Sequence, residues 1–190
     1  MTNDKLVFDI ETKNSFADVG GRGNLRDLEV SVVGVYSYDL DKYMVFDENE
    51  LDDLGEMLKR SRILIGFSSK TFDVPVLEKY FNFKLSAIPH FDILEEVEAS
   101  FGRKIGLGHL GEANLGIKKT GHGMEAIGMY ERGEMERLKE YCLQDVKITK
   151  ELLDRIASRG YLWVPRRDIP QMAKVDIKYI EPDTSQAQLI

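Results

Sequence analysis

This sequence contains very little cysteine, and it lacks both long apolar runs and an excess of basic side chains. Its single cysteine, Cys142, cannot form an internal disulfide bond and cannot build a zinc site by itself. We therefore expect a protein of a reducing, cytoplasmic compartment. No apolar run approaches the roughly 18–20 residues that a membrane-spanning helix needs. The charged side chains within residues 1–13 argue against a secretory signal peptide.

The charge balance excludes one large class of nucleic-acid-binding proteins. The chain has 26 lysine and arginine residues against 33 aspartate and glutamate residues, so its formal net charge is −7 at pH 7. A protein with this balance does not hold nucleic acid through a broad basic surface. If the chain acts on nucleic acid, it must do so through local contacts or through bound metal cations.

The pattern of apolar residues predicts one α/β domain followed by a tail. Hydrophobic residues make up 43% of the 190, which is enough for a core. Strands are predicted over 6–11, 30–38, 43–46, 63–67 and 90–92, and helices over 51–58, 73–80 and 133–157. Asn49 is expected to cap the first helix, and residues 101–123 to form short helices and loops. We assign residues 1–165 to the domain and 166–190 to an irregular C-terminal tail.

Three parts of the sequence place acidic side chains where they can bind a cation. Asp9 and Glu11 lie two residues apart on the first strand, so both project from one face with their backbones about 7 Å apart. Asp73 stands near the start of a predicted helix. Tyr141 and Asp145, four residues apart, share one face of the long helix, within its apolar stripe.

Each of these positions also has an ordinary structural explanation. Acidic residues are common at strand ends, and aspartate is a favoured helix N-cap. A carboxylate in an apolar stripe costs several kcal/mol unless it is paired or bound to metal, and a backbone donor or an arginine can supply that pairing. Taken singly, the positions leave both explanations open, and only their combination is specific.

The combination resembles the motifs of the DEDD-type 3′–5′ exonucleases. The stretches that carry the resemblance are Phe8-Asp9-Ile10-Glu11-Thr12, Phe72-Asp73 and Tyr141-Cys142-Leu143-Gln144-Asp145. Their order, their wide spacing and their placement on a strand, a helix start and a long helix agree with the family over residues 6–153. Tyr141 stands four residues before the last aspartate, and in this the chain resembles the tyrosine subclass (DEDDy), which includes the proofreading domains of family-B DNA polymerases. The resemblance implies a ribonuclease H-like α/β fold, a five-stranded mixed sheet flanked by helices.

The resemblance also implies a two-metal mechanism. Asp9, Glu11, Asp73 and Asp145 would hold two Mg²⁺ or Mn²⁺ ions, hard cations that prefer oxygen ligands, with Asp9 bridging both. Tyr141 would orient the attacking water through its hydroxyl, because a phenol with a pKa of about 10 is a poor base at neutral pH. The cations would also let an acidic protein hold a phosphodiester.

The implied substrate is the 3′ end of single-stranded nucleic acid, with DNA favoured over RNA, and the products are nucleoside monophosphates. Related enzymes often carry asparagine in the loop before the second aspartate, where this chain has Ser68 and Ser69. A serine hydroxyl can still donate a hydrogen bond to a phosphate or a sugar. The candidate substrate-binding residues are Thr12, Ser68, Ser69 and Lys70. Further basic residues that could line a strand-binding groove are Arg103, Lys104, Lys118 and Lys119. The expected protein partner is a polymerase, a helicase or another repair protein.

Two alternatives stay open at this point. One is a catalytically silent ribonuclease H-like module that docks nucleic acid or a protein partner, although all five catalytic positions are intact. The other is an enzyme that cuts internally, although the Tyr-x-x-x-Asp ending favours an exonuclease. No zinc role is expected for His90, His109 or His122, because none has a histidine or cysteine partner at ligand spacing. Asp92 is expected to cap the helix that follows it or to support the site from behind.

Overall fold

A five-stranded mixed sheet forms the centre of the computed structural model, which describes residues 4–117, 123–167 and 169–181. Its strands lie in the order β3-β2-β1-β4-β5. The pairs β1–β2 and β2–β3 are antiparallel, and the pairs β1–β4 and β4–β5 are parallel. The strands are β1 (Lys5–Thr12), β2 (Val30–Ser37), β3 (Lys42–Asp47), β4 (Ile63–Gly66) and β5 (His90–Asp92). The sheet is therefore the predicted mixed sheet of five strands.

Six α-helices flank the sheet in the described part of the chain. They are α1 (Leu51–Lys59), α2 (Asp73–Leu77), α3 (Ile93–Phe101), α4 (Leu107–Leu115), α5 (Gly123–Glu131) and α6 (Met135–Arg159). A short 3₁₀ turn over Glu78–Tyr80 continues α2, as the prediction of a helix over 73–80 requires. None of these helices combines the length and the apolar character that crossing a bilayer demands.

Strand alternation divides the core into two layers on either side of β1. Leu6, Phe8 and Ile10 point into the layer that also contains the apolar faces of α1 and α2. Val7 points into the opposite layer, which is filled by α3, α4 and α6. Because Asp9 and Glu11 share the parity of Val7, they face the side of the sheet on which α6 lies.

Glycine at position 34 lets α6 lie close to the sheet. Gly34 of β2 is the direct cross-strand partner of Asp9. A Cβ at this position would stand 2.8 Å from Cγ2 of Val146 and 3.0 Å from Sγ of Cys142, both on α6. The buried thiol of Cys142 in turn lies 3.5 Å from the carbonyl oxygen of Asp9, to which it donates. The close contact therefore places the middle of α6 directly over the acidic end of β1.

The segment after α6 is more regular than the sequence predicts. Strand β6 (Tyr161–Val164) pairs antiparallel with β7 (Ala173–Asp176). This hairpin therefore crosses the predicted boundary between the domain and the tail at residue 165. Beyond β7, the Glu181 carboxylate pairs with Lys5 and Arg62, each at 2.8 Å. The prediction of irregular structure is wrong for β7, because alternate residues from Ala173 onward are buried against the core. Residues 168 and 182–190 lie outside the described residues.

Two helix boundaries also differ from the prediction. The N-cap of α1 is Glu50 and not Asn49, whose backbone N–H instead donates to the Asp47 carboxylate at 2.8 Å. Helix α6 begins and ends two residues later than predicted, because Gly133 and Gly160 adopt positive φ angles of 70° and 74° on either side of it.

Candidate active site

Three carboxylates converge where β1 passes under α6. Asp9, Glu11 and Asp145 each offer one oxygen, and these three oxygens lie within 4.8 Å of one another. Glu11 and Asp145 are 8% and 5% exposed, and Asp9 is half-buried. Two full negative charges 4.8 Å apart repel by about 3.5 kcal/mol at an effective dielectric constant of about 20. A divalent cation with oxygen ligands removes this repulsion, so the cluster fits such an ion.

Asp73 lies outside this group of three but lines the same cavity. Its Oδ1 accepts a hydrogen bond of 3.1 Å from the backbone N–H of Ile10, between the two acidic residues of β1. Burial raises the pKa of Asp73 to about 7, and the nearby charges of Asp92 and Asp145 add to the rise, although backbone N–H groups oppose it. Such a carboxyl group gains its charged form most readily beside a cation.

The cavity above these carboxylates has a volume of about 510 Å³. Tyr141, only 7% exposed, stands one turn before Asp145 on α6 and contributes to the wall. The lining residues are Asp9, Ile10, Glu11, Phe16, Arg22, Leu25, Phe67, Ser68, Thr71, Phe72, Asp73, Lys104, Tyr141 and Asp145. All five residues predicted to be catalytic therefore line one cavity.

Asp92 holds the loop that leads into α2. Its carboxylate accepts hydrogen bonds from the backbone N–H groups of Ser68 (2.9 Å) and Lys70 (3.0 Å). It also accepts from Leu94 (3.0 Å) and Glu95 (3.3 Å), which makes it the N-cap of α3. Asp92 is therefore both a helix cap and a support for the site, and the two predicted roles are compatible.

The four candidate substrate-binding residues have different surroundings. Ser68 lines the cavity and has a positive φ of 64°. Ser69 is fully buried, shares a 2.8 Å hydrogen bond with His90 Nε2 and has no surface for a ligand, so it does not fit the predicted role. Lys70 is exposed, and its ammonium group pairs with Glu95. The Thr12 hydroxyl donates to the Asn14 carbonyl at 2.9 Å, and Thr12 lines a neighbouring cavity of about 290 Å³.

Several residues of the cavity were not predicted from the sequence. The guanidinium of Arg22 lies 4.7 Å from the ring centre of Phe16, which packs edge-on against Phe72 at 5.7 Å. The sequence signal for Arg22 is the group of glycines around it, Gly20, Gly21 and Gly23, which is typical of a loop. Lys104, predicted for a groove, does line the cavity. Lys118, Lys119 and His122 lie outside the described residues.

Comparison with known proteins shows the family and the fold. Residues 6–157 match the family RNase_H_2, described as RNase_H superfamily. Among solved structures, the chain is similar to the family B DNA polymerase from the hyperthermophilic archaeon Pyrobaculum calidifontis, with a TM-score of 0.63 and 19% identity. The match covers 83% of this chain and 25% of the polymerase chain. No curated protein matches the sequence.

Proposed function

Because this chain belongs to the RNase_H superfamily, we propose that it is a metal-dependent 3′–5′ exonuclease. Its fold is ribonuclease H-like, a five-stranded mixed sheet flanked by helices. The observation that carries the proposal is the convergence of Asp9, Glu11 and Asp145 within 4.8 Å. Asp73 and Tyr141 line the same cavity, which supports the assignment of all five residues to the site of a tyrosine-type exonuclease.

The four carboxylates are suited to hold two divalent cations, Mg²⁺ or Mn²⁺. The converging groups are all carboxylate oxygens, the ligands that these hard cations prefer. Two such ions, when bound, supply an acidified water and neutralise the charge that develops on the phosphate. Asp9, Glu11, Asp73 and Asp145 are the residues that would hold these ions.

The protein's own residues position the reacting groups. The Ile10 N–H fixes the orientation of Asp73, and Asp92 fixes the loop before it. The hydroxyl of Tyr141 orients the attacking water and accepts no proton, because a phenol is too weak a base at neutral pH. Helix α6 carries Tyr141 and Asp145 one turn apart, so the two groups keep a fixed separation.

The substrate is the 3′ end of a single strand, and nucleoside monophosphates are released. Phe16 and Phe72 bring aromatic rings to the cavity wall, where they can contact a base. Arg22 and Lys104 bring positive charge to the same wall, where it can attract phosphates. DNA is favoured over RNA because the solved structure described above is that of a DNA polymerase. A polymerase, a helicase or another repair protein is the partner that this activity would serve.

The test is digestion of 5′-labelled single-stranded DNA and RNA in Mg²⁺, Mn²⁺ or EDTA. We expect a metal-dependent ladder shortening from the 3′ end, absent in Asp145→Asn and retained in the exposed control Asp52→Asn. A circular single strand should stay intact, and its cleavage would show internal cutting instead. No cleavage of either polymer by the folded protein would overturn the proposal and favour a module that only docks nucleic acid or a protein.

A further inference from the structure

A further cavity, which we call the basic cavity, has a volume of about 310 Å³. It lies beside the 510 Å³ cavity of the candidate active site, which we call the acidic cavity. Its lining residues are Arg103, Lys104, Ile105, Gly106, His109, Pro165, Arg166 and Arg167. Lys104 lines both cavities, so the two are neighbours at this side chain. None of the described lining residues of the basic cavity is a carboxylate.

Two distant segments of the chain form the basic cavity. Gly102 ends α3 with a positive φ of 85° and turns the chain into residues 103–106, which lead to α4. The Arg103 guanidinium donates to the Pro165 carbonyl at 2.8 Å and so ties this turn to the segment after β6. That contact brings Arg166 and Arg167 to the same opening as Lys104.

The arrangement concentrates positive charge in a protein whose formal net charge is −7. Three arginines and one lysine meet at the start of α4, a helix of nine residues. Its N-cap, Gly106, provides no side-chain hydrogen bond, and its first turn has no acidic residue, so the helix end adds partial positive charge. Lys104 lies 3.7 Å from the Glu98 carboxylate, an exposed ion pair that neutralises little of this field.

We propose that the basic cavity binds a phosphate of the same single strand whose 3′ end enters the acidic cavity. This inference rests on the proposed function and adds where the upstream part of the strand lies. Because Lys104 lines both cavities, a strand that leaves the acidic cavity over this side chain can reach the basic cavity. A guanidinium group can donate two parallel hydrogen bonds to two oxygens of one phosphate. Such contacts do not depend on the base sequence of the strand.

The test variant is Arg166→Ala/Arg167→Ala, with Lys42→Ala/Arg159→Ala as the charge-matched control. Both arginines of the test variant are exposed, whereas Arg103 holds Pro165 and Lys104 borders the acidic cavity. Lys42 and Arg159 are exposed residues outside the lining of either cavity. Circular dichroism shows whether each variant is folded.

Binding of a fluorescein-labelled single-stranded octanucleotide is measured by anisotropy in EDTA, where no metal-dependent cleavage occurs. We expect the test variant to bind about tenfold more weakly than the wild type, as when one charge-assisted hydrogen bond is lost. The slope of log K against log salt concentration should fall by about 0.7 for each phosphate contact removed. The control variant should keep the wild-type affinity and slope.

Three results would overturn the inference. The first is equal affinity of the test variant and the wild type for the octanucleotide. The second is a test variant that loses binding of inorganic phosphate but keeps the wild-type affinity for the octanucleotide, which indicates a site for a small free anion. The third is a larger loss for a polyglutamate peptide than for the octanucleotide, which indicates an acidic protein partner. Because binding is measured without metal, a failure of the nuclease assay would refute the proposed function separately.

Discussion

Replacing Gly34 by alanine tests how the fold assembles the site. The new methyl group would lie 2.8 Å from Val146 Cγ2 and 3.0 Å from Cys142 Sγ, and both atoms belong to the helix that carries Tyr141 and Asp145. Overpacking of a core costs about 1–3 kcal/mol in the free energy of unfolding. If α6 moves away to relieve the contact, Asp145 moves away from Asp9, and a displacement of about 1 Å lowers turnover about 100-fold.

The assay combines urea denaturation with turnover of single-stranded DNA. Gly34→Ala should lose about 1–3 kcal/mol of stability and most of its activity. Adding Val146→Ala removes the closest atom, so the double variant should be at least about 1 kcal/mol more stable than the sum of the two single changes predicts. The relief is partial, because Cys142 Sγ remains 3.0 Å from the new methyl group.

The matched control is Gly23→Ala, since a Cβ there meets nothing within 4 Å and the backbone has no positive φ. That change should leave stability the same or raise it slightly. A Gly34→Ala protein with wild-type stability and turnover would refute the argument that the close approach of α6 assembles the carboxylate cluster.

Three further predictions follow from the site. Asp145→Asn should raise the free energy of unfolding in EDTA by about 1–3 kcal/mol, because it relieves repulsion among the carboxylates. It should also abolish the rise in Tm that Mn²⁺ gives the wild type. Unchanged stability in EDTA would contradict the repulsion within the carboxylate cluster. Tyr141→Phe should lower kcat at least about 100-fold and leave the Mn²⁺-induced rise in Tm intact, and full turnover would exclude water orientation by the hydroxyl. His90 is held neutral in the folded protein, because burial lowers its pKa from 6.5 to about 4. The unfolded chain therefore binds a proton between pH 7 and pH 4 that the folded chain does not bind, and the wild type should lose up to about 3 kcal/mol more of its free energy of unfolding over this range than His90→Gln. Parallel profiles of unfolding free energy against pH for the two proteins would disprove this.

Local patterns in the sequence predicted the parts of the site but not its assembly. Two-residue alternation put Asp9 and Glu11 on one face of β1, and four-residue spacing put Tyr141 and Asp145 on one face of α6. That these faces meet depends on contacts between residues more than 100 positions apart, such as the one at Gly34. Only the resemblance to the exonuclease motifs supplied that information before the structure.

The residues that were missed or misplaced depend on packing that has no local signature. Ser69 follows a strand as a loop residue should, yet it turns inward to His90 and is fully buried. Strand β7 has only a short alternation of apolar residues, and its burial becomes evident when it pairs with β6. Arg166 and Arg167 gain their neighbours through the contact between Arg103 and Pro165, which joins segments 62 residues apart.

The most direct test of the central claim is the polarity of digestion on single-stranded DNA labelled at both ends. In Mn²⁺, the account predicts that the 3′ label leaves first as a mononucleotide while the 5′ label remains on a shortening ladder, and that EDTA stops both events. Release of the 5′ label first, or cleavage that persists in EDTA, would contradict a metal-dependent 3′–5′ exonuclease built on Asp9, Glu11, Asp73, Tyr141 and Asp145.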